Sequence, residues 1–121
     1  MGMDVQFPLF VFEKDDRSMK LIETPERVLY HLEAIDIANS EYLFWDSSGA
    51  AVCVSVDRGA VKQIAPCAET ISLREAFESY GQSYGLQVVL KESPLDAWRS
   101  LQAQVPPKKT FWARLFRRPK S

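Results

Sequence analysis

Few side chains in this sequence combine a reactive type with a spacing that could support chemistry. The first candidates for a base and a nucleophile are the single histidine, His31, and the two cysteines, Cys53 and Cys67. A thiol needs a neighbouring base or cation to become the attacking thiolate near neutral pH, so a site would require His31 to sit beside one of the cysteines. Spacing does not bring them together. His31 falls between Tyr30 and Leu32, Cys53 lies inside a valine-rich run and Cys67 follows Pro66. A small enzyme built on an unrecognised site around His31, Cys53 and Cys67 is the alternative reading, not the leading one.

The fourteen-residue separation of the cysteines matches neither zinc-ligand nor dithiol redox spacing. The expectation is two reduced thiols packed as small hydrophobic side chains, with a disulfide or a reactive thiol as the alternative. Metal sites gather several donors, and one histidine with two separated cysteines offers too few, so neither a metal nor a cofactor is expected. The five glycines stand singly and build no phosphate-cradling loop. Asp15, Asp16, Asp57, Glu75 and Glu78 fall on turns and helix surfaces, where solvation and capping account for them. An acid and base pair would need a cleft that raises one carboxyl pKa above the other.

The end of the chain differs from the rest. Residues 106–121 carry six basic side chains and no acidic one, whereas residues 1–105 carry nine basic and sixteen acidic, a tail of +6 on a body of −7. Net charge governs association rather than fold, so this tail is the segment expected to meet a partner. Placed on a helix at 100° per residue, Phe111, Trp112, Leu115 and Phe116 fall within about 140° of arc, and Arg114, Arg117 and Arg118 occupy the other half, between about 240° and 340°. Lys108, Lys109 and Lys120 add charge on either side. An eight-residue helix is not stable alone in water, so ordering is expected only on contact. The basic and aromatic faces together fit an anionic membrane surface or an acidic protein surface, including that of the body itself. Nucleic acid is disfavoured, because backbone binding uses the charge and leaves the apolar face unexplained. A plain solvated tail is the bland alternative.

The rest of the chain is long and apolar enough to bury one sizeable core, with 46% hydrophobic and 12% aromatic residues. Phe7 to Phe12 is apolar on both alternating faces and predicts a strand covered on both sides, with Pro8 at its start, where no ladder donor is missed. Lys14 to Ser18 predicts a turn and Met19 to Glu23 the returning strand. Thr24-Pro25-Glu26 is a helix start, and Val28, Leu29, Leu32 and Ile35 continue it as one buried stripe towards Asp36–Asn39. Tyr42 to Trp45, Ala51 to Val56 and Val61 to Ile64 predict three strands of a meander joined at Asp46–Gly49 and Asp57–Gly59. In the first of these, Tyr42 and Phe44 face one side and Leu43 and Trp45 the other. An exposed Trp45 would offer a partner anchor or a base-stacking platform.

Ser72 with Glu75 forms a capping box for a second helix, whose stripe is Leu73, Ala76, Phe77, Tyr80 and Tyr84 and whose stop is Gly85. Gly81 inside it is expected to cost about 1 kcal/mol against Ala and to shorten it. Leu86 to Leu90 predicts a short strand. Ser93-Pro94 opens a third helix with Leu95, Trp98 and Leu101 inward, and Pro106-Pro107 ends it in a spacer.

The expected architecture is an α+β domain over residues 1–105, with a mainly antiparallel sheet made of a hairpin and a three-stranded meander, two or three helices on one face, and a separate tail over 106–121. No apolar run reaches the roughly 20 residues that span a bilayer, and the start lacks a basic segment followed by an apolar one and a cleavage site. A cytoplasmic location is expected, peripheral at the inner face of a membrane where the tail engages one. The leading reading is a non-enzymatic binding or adaptor domain.

Overall fold

A computed structural model describes residues 5–68, 71–89 and 93–105. Five strands form one antiparallel sheet: β1 (Leu9–Glu13), β2 (Ser18–Ile22), β3 (Tyr42–Trp45), β4 (Ala51–Asp57) and β5 (Ala60–Pro66), in the order β2-β1-β3-β4-β5. The helices are α1 (Val28–His31), α2 (Ala34–Ala38), α3 (Leu73–Tyr84) and α4 (Pro94–Gln102). The α+β class with an antiparallel sheet is therefore observed.

Strand β1 is the centre of the molecule because its alternation is apolar on both sides. Leu9 and Val11 point into one core and Phe10 and Phe12 into the other, all buried. Pro8 stands just before the strand, where it breaks no ladder bond. Phe10 shows what the second core depends on. Its ring meets Phe77 edge-on at 5.6 Å and Trp98 at 6.1 Å, joining β1 to α3 and α4. Truncation of so enclosed a ring to Ala costs about 3–5 kcal/mol.

The helices do not all share one face. α3 and α4 cover the Phe10 face, whereas the helical turns after β2 cover the Leu9 face through Val28, Leu32 and Ile37. That correction follows from β1 itself: a strand apolar on both sides needs cover on both sides.

The expected long first helix is three short pieces instead, a 3₁₀ turn at Pro25–Arg27 followed by α1 and α2. Leu32 takes an extended conformation (φ −128°, ψ 154°) that breaks the ladder, and the restart changes the phase of the stripe. Ile35, expected inward, is 64% exposed.

The β4–β5 turn places Arg58 (φ 54°) and Gly59 (φ 79°) in the left-handed region, the backbone that matches a two-residue hairpin to the strand twist. Helix α3 has the expected reciprocal cap, with Ser72 Oγ accepting from the Glu75 amide and Glu75 Oε1 from the Ser72 amide, and Gly85 ends it. Tyr84, assigned to the buried stripe, is instead half-exposed, and its hydroxyl donates to the Asp16 carbonyl at 3.0 Å.

Residues 86–89 form no strand. They cross back over α3 so closely that a Cβ on Gly81 would stand 2.6 Å from Val88 Cγ2 and 2.9 Å from the Leu86 carbonyl oxygen. Gly81 therefore does not shorten α3. It opens the helix surface to the returning chain, which Gln104 then pins by donating to the Gln87 carbonyl (2.8 Å) and accepting from the Gln87 amide (2.7 Å).

Candidate functional site

The tail residues Lys108, Lys109, Phe111, Trp112, Arg114, Leu115, Phe116, Arg117 and Arg118 lie outside the described residues. The remaining sequence candidates can be placed. His31, on α1, belongs to the helical layer over the Leu9 face, where its Nε2 stands 3.5 Å from Glu23 Oε1, an ion pair only when the imidazole is protonated. The contact lacks hydrogen-bond geometry. The amide of Glu23 itself, and then His31, hold the Glu23 carboxyl below its ordinary value.

Strand alternation sends Val52 and Val54 towards that same layer and Cys53 to the opposite side of the sheet. The structure thus does not bring His31 and Cys53 together.

The two cysteines are not separate reduced thiols. Cys53 and Cys67 are joined by a disulfide, their Cα atoms 5.6 Å apart. The cause is the ladder. Cys53 pairs with Ala65 in the β4–β5 register, and Cys67, two residues further along β5's course, donates its amide to Ala51 at 3.2 Å, so the cysteines stand diagonally on one face. A spacing of fourteen carries no such information until the turn at Arg58–Gly59 fixes the register.

Trp45 is 1% exposed and its indole Nε1 donates to the Ile71 carbonyl at 3.3 Å. It is a core residue and presents no stacking platform. Among the described residues, no group of three or more His, Cys, Asp or Glu side chains is arranged to hold a metal ion, and no helix is long and apolar enough to cross a membrane.

One carboxylate that sequence reasoning passed over is the most enclosed charged side chain described. Asp46 is 2% exposed. Its Oδ1 accepts from the Ser48 amide (2.9 Å), the Ser48 hydroxyl (2.6 Å) and the Ala50 amide (3.1 Å), and its Oδ2 from the Gln6 amide (3.1 Å). Burial pushes this carboxyl's pKa up, but the hydrogen bonds to its charged form outweigh burial and hold it below the ordinary value. With the Ser48 and Ala50 groups on one oxygen and the Gln6 amide on the other, Asp46 organises the β3–β4 turn and ties the N-terminal segment to it. The signal was present as an Asp opening the run Asp46-Ser47-Ser48-Gly49.

Among the described residues, a cleft of about 260 Å³ opens where β3 and β4 part. These strands pair only at Phe44–Val52 and Trp45–Ala51. Beyond those pairs Tyr42 and Leu43 diverge from Cys53 and Val54, and the slot opens between them. It is smaller than the roughly 300–1,000 Å³ of small-molecule pockets, a size for a side chain rather than a cofactor. Ile37, Tyr42 and Val54 are among its apolar walls, Lys14 and Ser40 stand at one end, and the disulfide lies in its wall.

The Lys14 end is rich in acid. Glu13 pairs with Tyr42 in the ladder, Lys14 donates its amide to the Glu41 carbonyl and Glu41 donates its own to the Asp36 carbonyl. Burial, then the neighbouring Asp16, raises the Glu13 carboxyl above its ordinary value. Burial raises the Tyr42 hydroxyl too, helped by the charges of Glu13, Asp36 and Glu33.

Elsewhere Tyr30 is 74% exposed, with the Arg27 guanidinium 4.8 Å from its ring centroid. No protein-family model, curated protein or solved structure matches this chain.

Proposed function

We propose that this chain is a non-enzymatic binding or adaptor domain whose basic aromatic tail attaches it to an anionic membrane surface, an acidic protein surface being the second partner class. The observation that carries the reading is the separation of Phe111, Trp112, Leu115 and Phe116 from Arg114, Arg117 and Arg118 around a helix, behind the Pro106-Pro107 spacer. At a membrane the aromatic face enters the headgroup boundary, and each Lys or Arg near the surface contributes about 1 kcal/mol, less the cost of ordering. Support from the body is indirect. His31 and the cysteines face opposite sides of the sheet, and the enclosed carboxylate, Asp46, is engaged with its turn and with the Gln6 amide.

The proposed location is the cytoplasmic face of a membrane. A reducing compartment would open the Cys53–Cys67 bond in the resting state, so the redox state of the pair bears directly on this part of the reading.

Vesicle sedimentation tests the membrane reading. The full chain is expected to sediment with anionic vesicles and to remain in solution with neutral ones, and to be released as salt rises. Equal partition between the two vesicle types would overturn it.

A further inference from the structure

We propose that the β3–β4 cleft is the docking site of the chain's own tail, with the aromatic face of residues 111–118 entering the slot and its arginines meeting the acidic end. This rests on the reading of the tail as the binding element and adds its resting place on the body.

Three observations carry it. The slot, at about 260 Å³, has the size of a side chain or two, and its walls include Ile37, Tyr42, Leu43 and Val54. Lys14 is the one charged side chain in its described lining, but the neighbourhood of that end carries net charge opposite to the tail's: Glu13 pairs with Tyr42 in the ladder, Asp36 and Glu41 join the same backbone network, and Asp15 and Asp16 follow on the β1–β2 turn. Lys14, Arg17 and Lys20 offset part of that charge without reversing it.

The third observation is reach. α4 ends at Gln102 and the described chain at Val105. From there six extended residues reach about 20 Å to Phe111 at about 3.3 Å per residue, and the helical segment adds about 7.5 Å to Phe116 at about 1.5 Å per residue. A domain of about 100 residues has a radius of gyration near 13 Å, so this reach is comparable to the dimensions of the body.

The consequence is competition. A tail seated on the body is withheld from an external surface, and the apparent affinity for that surface is the intrinsic affinity multiplied by the fraction of time the tail is undocked.

The test compares the backbone amide spectrum of the full chain with that of a chain ending at Val105. Differences are expected to gather at Glu13, Lys14, Ser40, Tyr42, Leu43 and Val54, and to be lost in a full-length W112A/F116A variant. The urea midpoint of that variant, measured beside that of the full chain, checks that the body stays folded.

Differences confined to residues next to Val105, or unchanged in W112A/F116A, would overturn the proposal. Differences that grow with protein concentration would also overturn it, since they assign the cleft to the tail of a second copy. Sedimentation with anionic vesicles, run on the same two chains, separates the two levels. Tail-dependent vesicle binding without cleft perturbation removes self-docking alone, and loss of both signals removes the tail as a binding element as well.

Discussion

Cys53 and Cys67 stand diagonally across the β4–β5 ladder and are bonded, which closes the end of the ribbon and forms part of the wall of the β3–β4 cleft. A cross-link over a loop of about 15 residues contributes about 3 kcal/mol in the chain-entropy account. Protein prepared without reductant is therefore expected to resist thiol alkylation, in urea as well as in buffer, until it is reduced. The C53A/C67A variant should unfold at lower urea, with a loss of about 3 kcal/mol. Rapid alkylation of unreduced protein in urea would contradict the pairing.

Asp46 makes a pH prediction whose sign is fixed. Its folded-state value lies below the ordinary one, so its contribution to stability is complete above the unfolded value of about 3.9 and is lost as pH falls through the folded value. D46A strands the Gln6, Ser48 and Ala50 amides and should lose about 3 kcal/mol at neutral pH, measured by urea unfolding. The gap between wild type and D46A should narrow in acid. D46N, which keeps an acceptor for the Ser48 and Ala50 amides but turns its own donor on the Gln6 N–H, should fall between them.

Gly81 sets helix propensity against packing. Ala is favoured over Gly by about 1 kcal/mol in a helix interior. Its Cβ, however, would press on the Leu86 carbonyl oxygen at 2.9 Å, a backbone atom, as well as on Val88. Overpacking of this kind typically costs about 1–3 kcal/mol, so G81A should be destabilised by about 1 kcal/mol net. A gain in stability would show that residues 86–89 shift freely.

Much of the architecture was legible because the strong signals were local. The two-sided strand at Phe7–Phe12, the alternation of Tyr42 to Trp45, the capping box at Ser72 and the Ser93-Pro94 helix start each follow from neighbours in sequence. What escaped depends on residues far apart. The break at Leu32 is written in no residue type that forbids helix. The Gln104–Gln87 pair requires two elements to meet, and the placement of helices on both faces requires asking what covers β1. The cysteine pairing and the cleft share one origin, the course of β4 as it leaves β3 and continues with β5. The tail stands on charge and spacing alone.

The central claim is that residues 106–121 are the binding element, and the most direct test is the fraction of protein that sediments with anionic vesicles, measured for the full chain beside a chain ending at Val105. Binding by the full chain and none by the shortened one is expected, with the urea midpoint of the body unchanged. Equal sedimentation of the two chains would contradict it.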